Sequence, residues 1–354
     1  MFDRLLDAAP YSLRQTEKEP LLLTGLNELM RFHTERCPDY ARIINAAWGG
    51  LRPYRAIEDV PFLPVGLFKE MELSSTAVSS IVLQSSGTTG QVPSRIIVDP
   101  ETATRQSRAL IATFRPILGE SRLPFLAIDT KDVISAASLT ARGAGVLGMM
   151  KFGAKATFAL SAALETDRQA IRKFVDANGS KPFLIFGFTF LVWTKLYEQF
   201  GDGELDLSNA VLIHSGGWKK LEAQKVSNAT FREAFRARFN LTRIYNFYGF
   251  VEQIGSMFVE GPEGLLYPPN FTDVIVRRPG SWEAAEPGEE GVLQVVSLLP
   301  RSYPGHSVLT EDRGAILAID KGIDNHFGKA ITIAGRVAKA ELRGCSDVIA
   351  ASAA

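Results

Sequence analysis

Ser85-Ser86-Gly87-Thr88-Thr89-Gly90 lies between two apolar runs, Ile81-Val82-Leu83 and Ile96-Ile97-Val98. The pattern predicts a strand, a loop of small residues and a second strand. Glycines let a backbone turn tightly and approach a ligand closely. Successive free N–H groups form a concave anion site, and the four hydroxyls of Ser85, Ser86, Thr88 and Thr89 add donors for phosphate oxygens. The stretch therefore reads as a polyphosphate-binding loop and directs the rest of the reading toward ATP-dependent chemistry.

The chain around it is of ordinary globular composition. It has 354 residues, 46% hydrophobic and 22% charged, enough for two domains or one large one with subdomains. Lys plus Arg and Asp plus Glu both number 39. That balance argues against broad nucleic-acid binding, which needs a basic surface. No apolar stretch is long enough for a membrane span, and the first twenty residues lack a signal-peptide core. Two cysteines, Cys37 and Cys345, lie far apart in sequence, so the expectation is a reduced, cytoplasmic protein without a disulfide framework.

Outward from the loop, apolar spacing predicts helices within 1–60, where Leu22, Leu26, Leu29, Met30 and His33 share one face, followed by Tyr40, Ile43, Ile44 and Ala47. The prolines of Pro61-Phe62-Leu63-Pro64-Val65 favour an extended segment. A helix is expected over 102–114, with Pro116 just beyond it, and a buried strand over 125–129. Strands at 183–186 and 210–213 alternate with helices at 165–177 and 219–239. This β–α alternation predicts an α/β fold, parallel sheets flanked by helices. Residues 271–300 read as a β-hairpin region and a small β-rich subdomain, with last strands at 315–319 and 331–334.

Three more stretches read as loops at the ends of apolar segments: Ser215-Gly216-Gly217-Trp218, Asn246-Phe247-Tyr248-Gly249-Phe250-Val251-Glu252, and Leu309-Thr310-Glu311-Asp312-Arg313-Gly314. In an open α/β sheet, ligands bind beyond the carboxyl ends of strands, where such loops converge. A Gly-Gly turn admits a flat ring against backbone. Tyr248 is suited to stack on a base, Glu252 to hold a hard divalent cation, and Asp312 to accept hydrogen bonds from ribose hydroxyls. Gly143-Ala144-Gly145-Val146-Leu147-Gly148 matches a dinucleotide fingerprint, but no apolar strand precedes it and Ser138-Leu139-Thr140-Ala141-Arg142 reads as helix. Its glycines are therefore assigned to close packing or to an acyl pocket. The four histidines have no metal-ligand spacing.

Taken together, these residues resemble the adenylate-forming enzymes: acyl-CoA synthetases, adenylation domains and luciferases. Ser85 to Gly90 resembles their phosphate loop. Asn246 to Glu252 resembles their Tyr-Gly-x-x-Glu element. Leu309 to Arg313 resembles Thr-Gly-Asp with Glu311 in place of the glycine, and Gly335-Arg336 resembles the Gly-Arg that opens their hinge. Pro64-Val65-Gly66-Leu67-Phe68-Lys69, Pro93-Ser94, Gly216-Gly217-Trp218-Lys219 and Glu341-Leu342-Arg343-Gly344-Cys345-Ser346 look like one branch, the LuxE-type acyl-protein synthetases. The resemblance implies an adenylation core over 61–270, a β-rich subdomain over 271–345 and a tail over 346–354. Only 18 residues follow Arg336, so the mobile C-terminal domain of typical members is expected to be absent.

It also implies activation of a fatty or other carboxylic acid as acyl-AMP with ATP and Mg²⁺, then transfer to a cysteine and on to a partner reductase. Ser85, Ser86, Gly87, Thr88, Thr89, Gly90, Gly216, Gly217, Trp218, Tyr248, Gly249, Asp312 and Arg336 would bind the nucleotide. Glu252 and Thr89 would hold the metal, and Lys219 and Arg336 would neutralise phosphate. Cys345, two residues after Arg343, would be the acyl acceptor, since nearby positive charge favours the thiolate. Cys37, between Arg36 and Pro38, reads as structural. The rival expectations are a CoA ligase of the phenylacetate type and a nucleotide-binding subunit without catalysis.

Overall fold

The computed structural model describes residues 1–78, 81–84, 93–135, 139–218 and 225–337. Two compact units divide the chain: Met1–Thr113 with Gly249–Phe258 and Leu265–Ala354, and Phe114–Tyr248 with Val259–Gly264.

The first unit begins with helices Phe2–Asp7, Gln15–Arg36 and Pro38–Trp48. Its main sheet is antiparallel, in the order Thr272–Arg277, Gly291–Ser297, Ser307–Ile319, Lys329–Arg336, Leu266–Tyr267. Leu63–Pro64 adds parallel to Val308 and Leu309, the extended segment that the prolines foretold. Leu22, Leu26, Leu29 and Met30 of the long helix bury their shared face with Phe271, Ile275, Val296 and Leu298. Ile81–Gln84 and Arg95–Val98 pair antiparallel, with Gln84 opposite Arg95.

The second unit is a parallel sheet in the order Arg243–Tyr248, Ala210–Ser215, Phe183–Phe188, Leu123–Thr130, Gly153–Leu160. Its three inner strands, Ala210–Ser215, Phe183–Phe188 and Leu123–Thr130, are buried almost without interruption, as a sheet covered on both faces requires. Helices Ala141–Met149, Arg168–Asn178, Thr189–Lys195 and Asn228–Phe239 punctuate it. Phe174, Phe183, Phe231, Phe235 and Phe239 fill its core. This mixed α/β fold is the expected class. Among the described residues, no helix is long and apolar enough to cross a membrane.

Four local expectations are corrected. Residues 309–314 are not a loop but the middle of the strand Ser307–Ile319. Their run of charge imitates a turn, yet Thr310 Oγ1 donates to the Leu293 carbonyl at 2.8 Å and accepts from Asp312 N at 3.1 Å, and a bulge after Arg313 keeps the pairing. The helix expected at 219–239 is Asn228–Phe239, capped by the Ser227 hydroxyl; 219–224 lie outside the described residues and 225–227 are not helical. Pro116 does not end its helix, which runs Pro100–Leu118; the proline has no N–H for the Ala112 carbonyl, and the helix stops two residues later. The segment before Gly143 is helical only in part: Leu139–Thr140 is a strand, Ala141 and Arg142 open the helix Ala141–Met149, capped by Thr140, that holds the glycines, and Ser138 lies outside the described residues. Gly145 is there for close packing, since a Cβ would stand 3.2 Å from the Phe186 ring.

Candidate functional site

In the first unit, Glu252 lies on the single turn Val251–Gln253, just past the strand Arg243–Tyr248. Its backbone is fixed from both sides. Tyr303 donates its hydroxyl to the Glu252 carbonyl at 2.9 Å, and Gln253 Nε2 donates to the carbonyls of Val295 at 2.9 Å and Gly305 at 2.8 Å. The Glu252 side chain is only 5% exposed. Burial pushes its carboxyl above the ordinary range, while the Ser94 hydroxyl, by hydrogen bonding, and the Lys69 ammonium, by charge, pull it down; Glu311 adds a smaller upward push. Ser94 is buried and lies next to the start of Arg95–Val98, at the returning end of the hydroxyl-rich stretch. Lys69, on the short helix Leu67–Glu70, stands 3.8 Å from Glu311 Oε1. Asp312 and Arg336 face each other across paired strands, with Nε 3.6 Å from Oδ1. Gly249, at the head of this segment, is exposed.

The second unit carries the other candidates at the carboxyl end of its parallel sheet. Phe188 pairs with Ser215 and Ser215 with Phe247, so three strand ends lie in one row. Ser215 Oγ donates to the Phe247 carbonyl at 2.7 Å. Gly216 and Gly217 follow, both exposed, and Gly216 has φ of +84°, a left-handed turn that favours glycine. A Cβ at Gly216 would also stand 3.0 Å from the Phe188 ring. Tyr248, half-buried, ends its strand. Trp218 turns inward: it is buried and meets Trp193 edge to face at 5.5 Å. His214 is also a core residue, hydrogen-bonded to Thr189 Oγ1 at 3.0 Å and stacked on Phe231. Burial lowers its imidazole to about 3, so it stays neutral.

Within the first unit the structure thus brings Glu252 together with Ser94 and Lys69, and Asp312 with Arg336. Ser85, Ser86, Gly87, Thr88, Thr89, Gly90, Lys219 and Cys345 lie outside the described residues. Sequence reasoning quoted Ser94 and Lys69 within motifs and gave neither a role. Tyr303 carried no signal at all, because its partner is a backbone carbonyl 51 residues away. Cys37 is buried at the junction of two helices, and burial raises its thiol.

A single buried carboxylate supplies one hard oxygen ligand. Among the described residues no group of three or more His, Cys, Asp or Glu could hold a metal by itself. That donor set fits Mg²⁺, which takes one or two carboxylates and completes its shell with phosphate and water.

The fold is that of the N-terminal domain of adenylate-forming enzymes. Residues 1–353 match the family described as acyl-protein synthetase, LuxE, and the chain belongs to that family. An open conformation of 2-hydroxyisobutyryl-CoA ligase in complex with 2-HIB-AMP and CoA is 14% identical, with a TM-score of 0.71 over 94% of this chain and 74% of that one. ATP-bound MatB from Rhodopseudomonas palustris is 15% identical, with a TM-score of 0.51 over 74% of this chain and 49% of that one. At these identities the likeness shows the fold alone. No protein in the comparison with curated proteins matches the chain.

Proposed function

We propose that this protein activates a carboxylic acid, of the fatty class, as its acyl-adenylate, takes the acyl group onto Cys345, and passes it to a partner reductase. The observation that carries this reading is the fixed, buried Glu252 beside Ser94 and Lys69, at the returning end of the Ser85 to Gly90 stretch. Family membership supports it.

In the first half-reaction a carboxylate oxygen of the acid attacks the α-phosphorus of ATP. The bond to the β-phosphate oxygen breaks and pyrophosphate leaves. The protein's contribution is positioning and charge neutralisation. The hydroxyls of Ser85, Ser86, Thr88 and Thr89 and the backbone of Gly87 and Gly90 hold phosphate oxygens. Gly216, Gly217 and Tyr248 receive the base, with Gly249 following. Trp218 supports the glycine turn from the core. Asp312 binds ribose, and Arg336 and Lys219 offset phosphate charge. Mg²⁺, held by Glu252 with Thr89, supplies further neutralisation of the polyphosphate. In the second half-reaction the Cys345 thiolate attacks the acyl carbonyl, AMP leaves, and the thiol proton is released to solvent.

Incubation with ATP, Mg²⁺ and a panel of fatty and aryl acids, read by intact-protein mass spectrometry, tests this. The expected result is one hydroxylamine-labile acyl adduct, absent in Cys345→Ser, which still exchanges pyrophosphate into ATP. Labelling that persists in that variant removes Cys345 as the acceptor. An adenylate consumed only with CoA, releasing AMP without any adduct on the protein, overturns the acyl-protein reading in favour of a CoA ligase. No ATP turnover with any acid removes the enzyme reading and leaves a nucleotide-binding subunit.

A further inference from the structure

Arg142 lies in the first turn of the helix Ala141–Met149, where a cation opposes the helix dipole. It is held there by Asp129: Arg142 Nε is 3.1 Å from Asp129 Oδ2, with the arginine side chain 31% exposed and the aspartate 1%. Burying a carboxylate is costly unless it is paired, so Asp129 fixes the guanidinium firmly. Among the described residues Asp129 is the one ion-pair partner of Arg142. A guanidinium carries five donors in a planar fork. The contact with Asp129 is an ion pair without hydrogen-bond geometry, so the buried Nε has no hydrogen-bond partner among the described residues and the fork is open to an acceptor.

The place is as telling as the chemistry. Asp129 lies two residues beyond Ala127, which pairs with Phe186, and Phe188 lies two beyond Phe186. Phe188, Ser215 and Phe247 form one row at the carboxyl end of the sheet, where ligands of such sheets bind, and Asp129 lies near the same end of the neighbouring strand Leu123–Thr130. Two strand spacings, about 10 Å, separate the strand of Asp129 from that of Ser215. The Phe188 ring bridges them. It stands 3.0 Å from where a Gly216 Cβ would be and 3.7 Å from where a Gly145 Cβ would be. Gly145 is one helical turn after Arg142, on the same side of the helix.

We infer that Arg142, positioned by Asp129, binds the far end of the acid substrate, so that the preferred acid carries a second anionic or hydrogen-bond-accepting group at its distal end. This rests on the reading that the adenylate lies against Gly216, Gly217 and Tyr248. A reacting carboxylate there is too far from Arg142 to use it; a group several carbons along the chain, across the Phe188 ring, is not.

The test is pyrophosphate exchange with straight-chain monoacids and their ω-carboxy and ω-hydroxy counterparts of equal length. The variants are Arg142→Met, Arg142→Lys and the double change Asp129→Asn with Arg142→Met, which leaves no buried charge unpaired. The wild type is expected to favour the ω-polar acids in kcat/KM by roughly tenfold or more, the scale of a charge-assisted hydrogen bond. Arg142→Met and the double variant level the two series, Arg142→Lys keeps part of the preference, and KM for MgATP does not move. Equal use of both series by the wild type, or an unchanged preference in the variants, overturns the inference. An effect confined to thioester formation overturns it too, assigning Arg142 to the acyl acceptor instead. If no acid supports exchange, the adenylation reading fails by itself. Equilibrium dialysis of a labelled ω-diacid then decides the inference: binding lost in the double variant sustains it, and binding that is absent or unaffected refutes it.

Discussion

Acidification from pH 7 to pH 5 should destabilise this protein through three buried histidines. His33 and His306, in the first unit, stack with ring centroids 5.0 Å apart and planes 6° from parallel. His33 Nδ1 pairs with Ser75 Oγ at 2.8 Å, and Tyr40 OH with His306 Nε2 at 3.2 Å. Burial lowers His306 to about 3. Burial, then the neighbouring His306 and Arg301, holds His33 well below the ordinary value, against a smaller upward pull from the Pro300 backbone. His214, in the second unit, is lowered to about 3 by burial and by Arg232. Because the folded values are depressed, the unfolded chain binds more protons. Stability is therefore full above the unfolded value near 6.5 and is lost as pH falls below it. At pH 5 each imidazole has cost about 2 kcal/mol, so the first unit loses about 4 kcal/mol, a large part of a typical total of about 5–15 kcal/mol. Asp273, whose carboxyl is lowered by Lys18 and Lys329 despite its burial, gives up its stabilisation only near and below 3.8, outside this window. Urea unfolding followed by tryptophan fluorescence at pH 7.5, 6 and 5 measures the loss. His306→Asn, though less stable at neutral pH, should show an acid slope shallower by up to ~1.4 kcal/mol per pH unit. Equal stability at pH 7.5 and 5, or the assigned imidazole resonances of His33, His214 and His306 titrating near 6.5 in the folded protein, would refute the reasoning.

Gly305→Ala should cost about 1–3 kcal/mol and slow pyrophosphate exchange, because the new methyl overlaps the Tyr303 ring and stands 2.8 Å from the Glu252 carbonyl; urea unfolding and exchange assays check both. Lys69→Met removes a charge that favours ionised Glu252, so the acidic limb of the exchange profile should move to higher pH, while Lys69→Arg leaves it nearly in place. Glu252→Gln should reduce exchange by about 10²-fold or more, the scale of losing one preorganised electrostatic contact, with urea stability preserved. The buried, raised Cys37 thiol should resist iodoacetamide in the native protein, and Cys37→Ser should leave acyl labelling intact.

Gly153–Leu160 was not foreseen and Asn246 to Tyr248, expected in a loop, end the strand Arg243–Tyr248; the other three parallel strands were legible because they are short apolar runs that end in glycine or hydroxyl residues, as at Ile213-His214-Ser215-Gly216. The strand carrying Asp312 was not. A stretch such as Thr310-Glu311-Asp312-Arg313 has turn composition, and only pairing with Lys329–Arg336 and the Thr310 hydroxyl bonds makes it extended. The carboxylate of the candidate site could be picked out by its motif, but what surrounds it could not. Ser94, Lys69 and Tyr303 reach Glu252 from segments separated from it by 51 to 183 residues. No periodicity records such distances. Arg142 was hidden differently: it stands just before a glycine pattern assigned to packing or an acyl pocket, and its partner Asp129 lies 13 residues earlier, on the strand Leu123–Thr130.

The parallel pairing of Leu63–Pro64 with Val308 and Leu309 joins residues about 245 positions apart. On the ribosome, the second unit's main segment, Phe114–Tyr248, emerges as one piece and can form its sheet while synthesis continues. The first unit has no such freedom. Its opening helices, its Lys69 segment and the Glu252 turn must all wait for Ser307–Ile319 and Lys329–Arg336 to leave the exit tunnel before the sheet that holds them exists. Non-local closure of this kind is slow. The apolar face of Gln15–Arg36 is thus a surface a nascent-chain chaperone would have to cover until then, and the unit that carries Glu252 closes after the other.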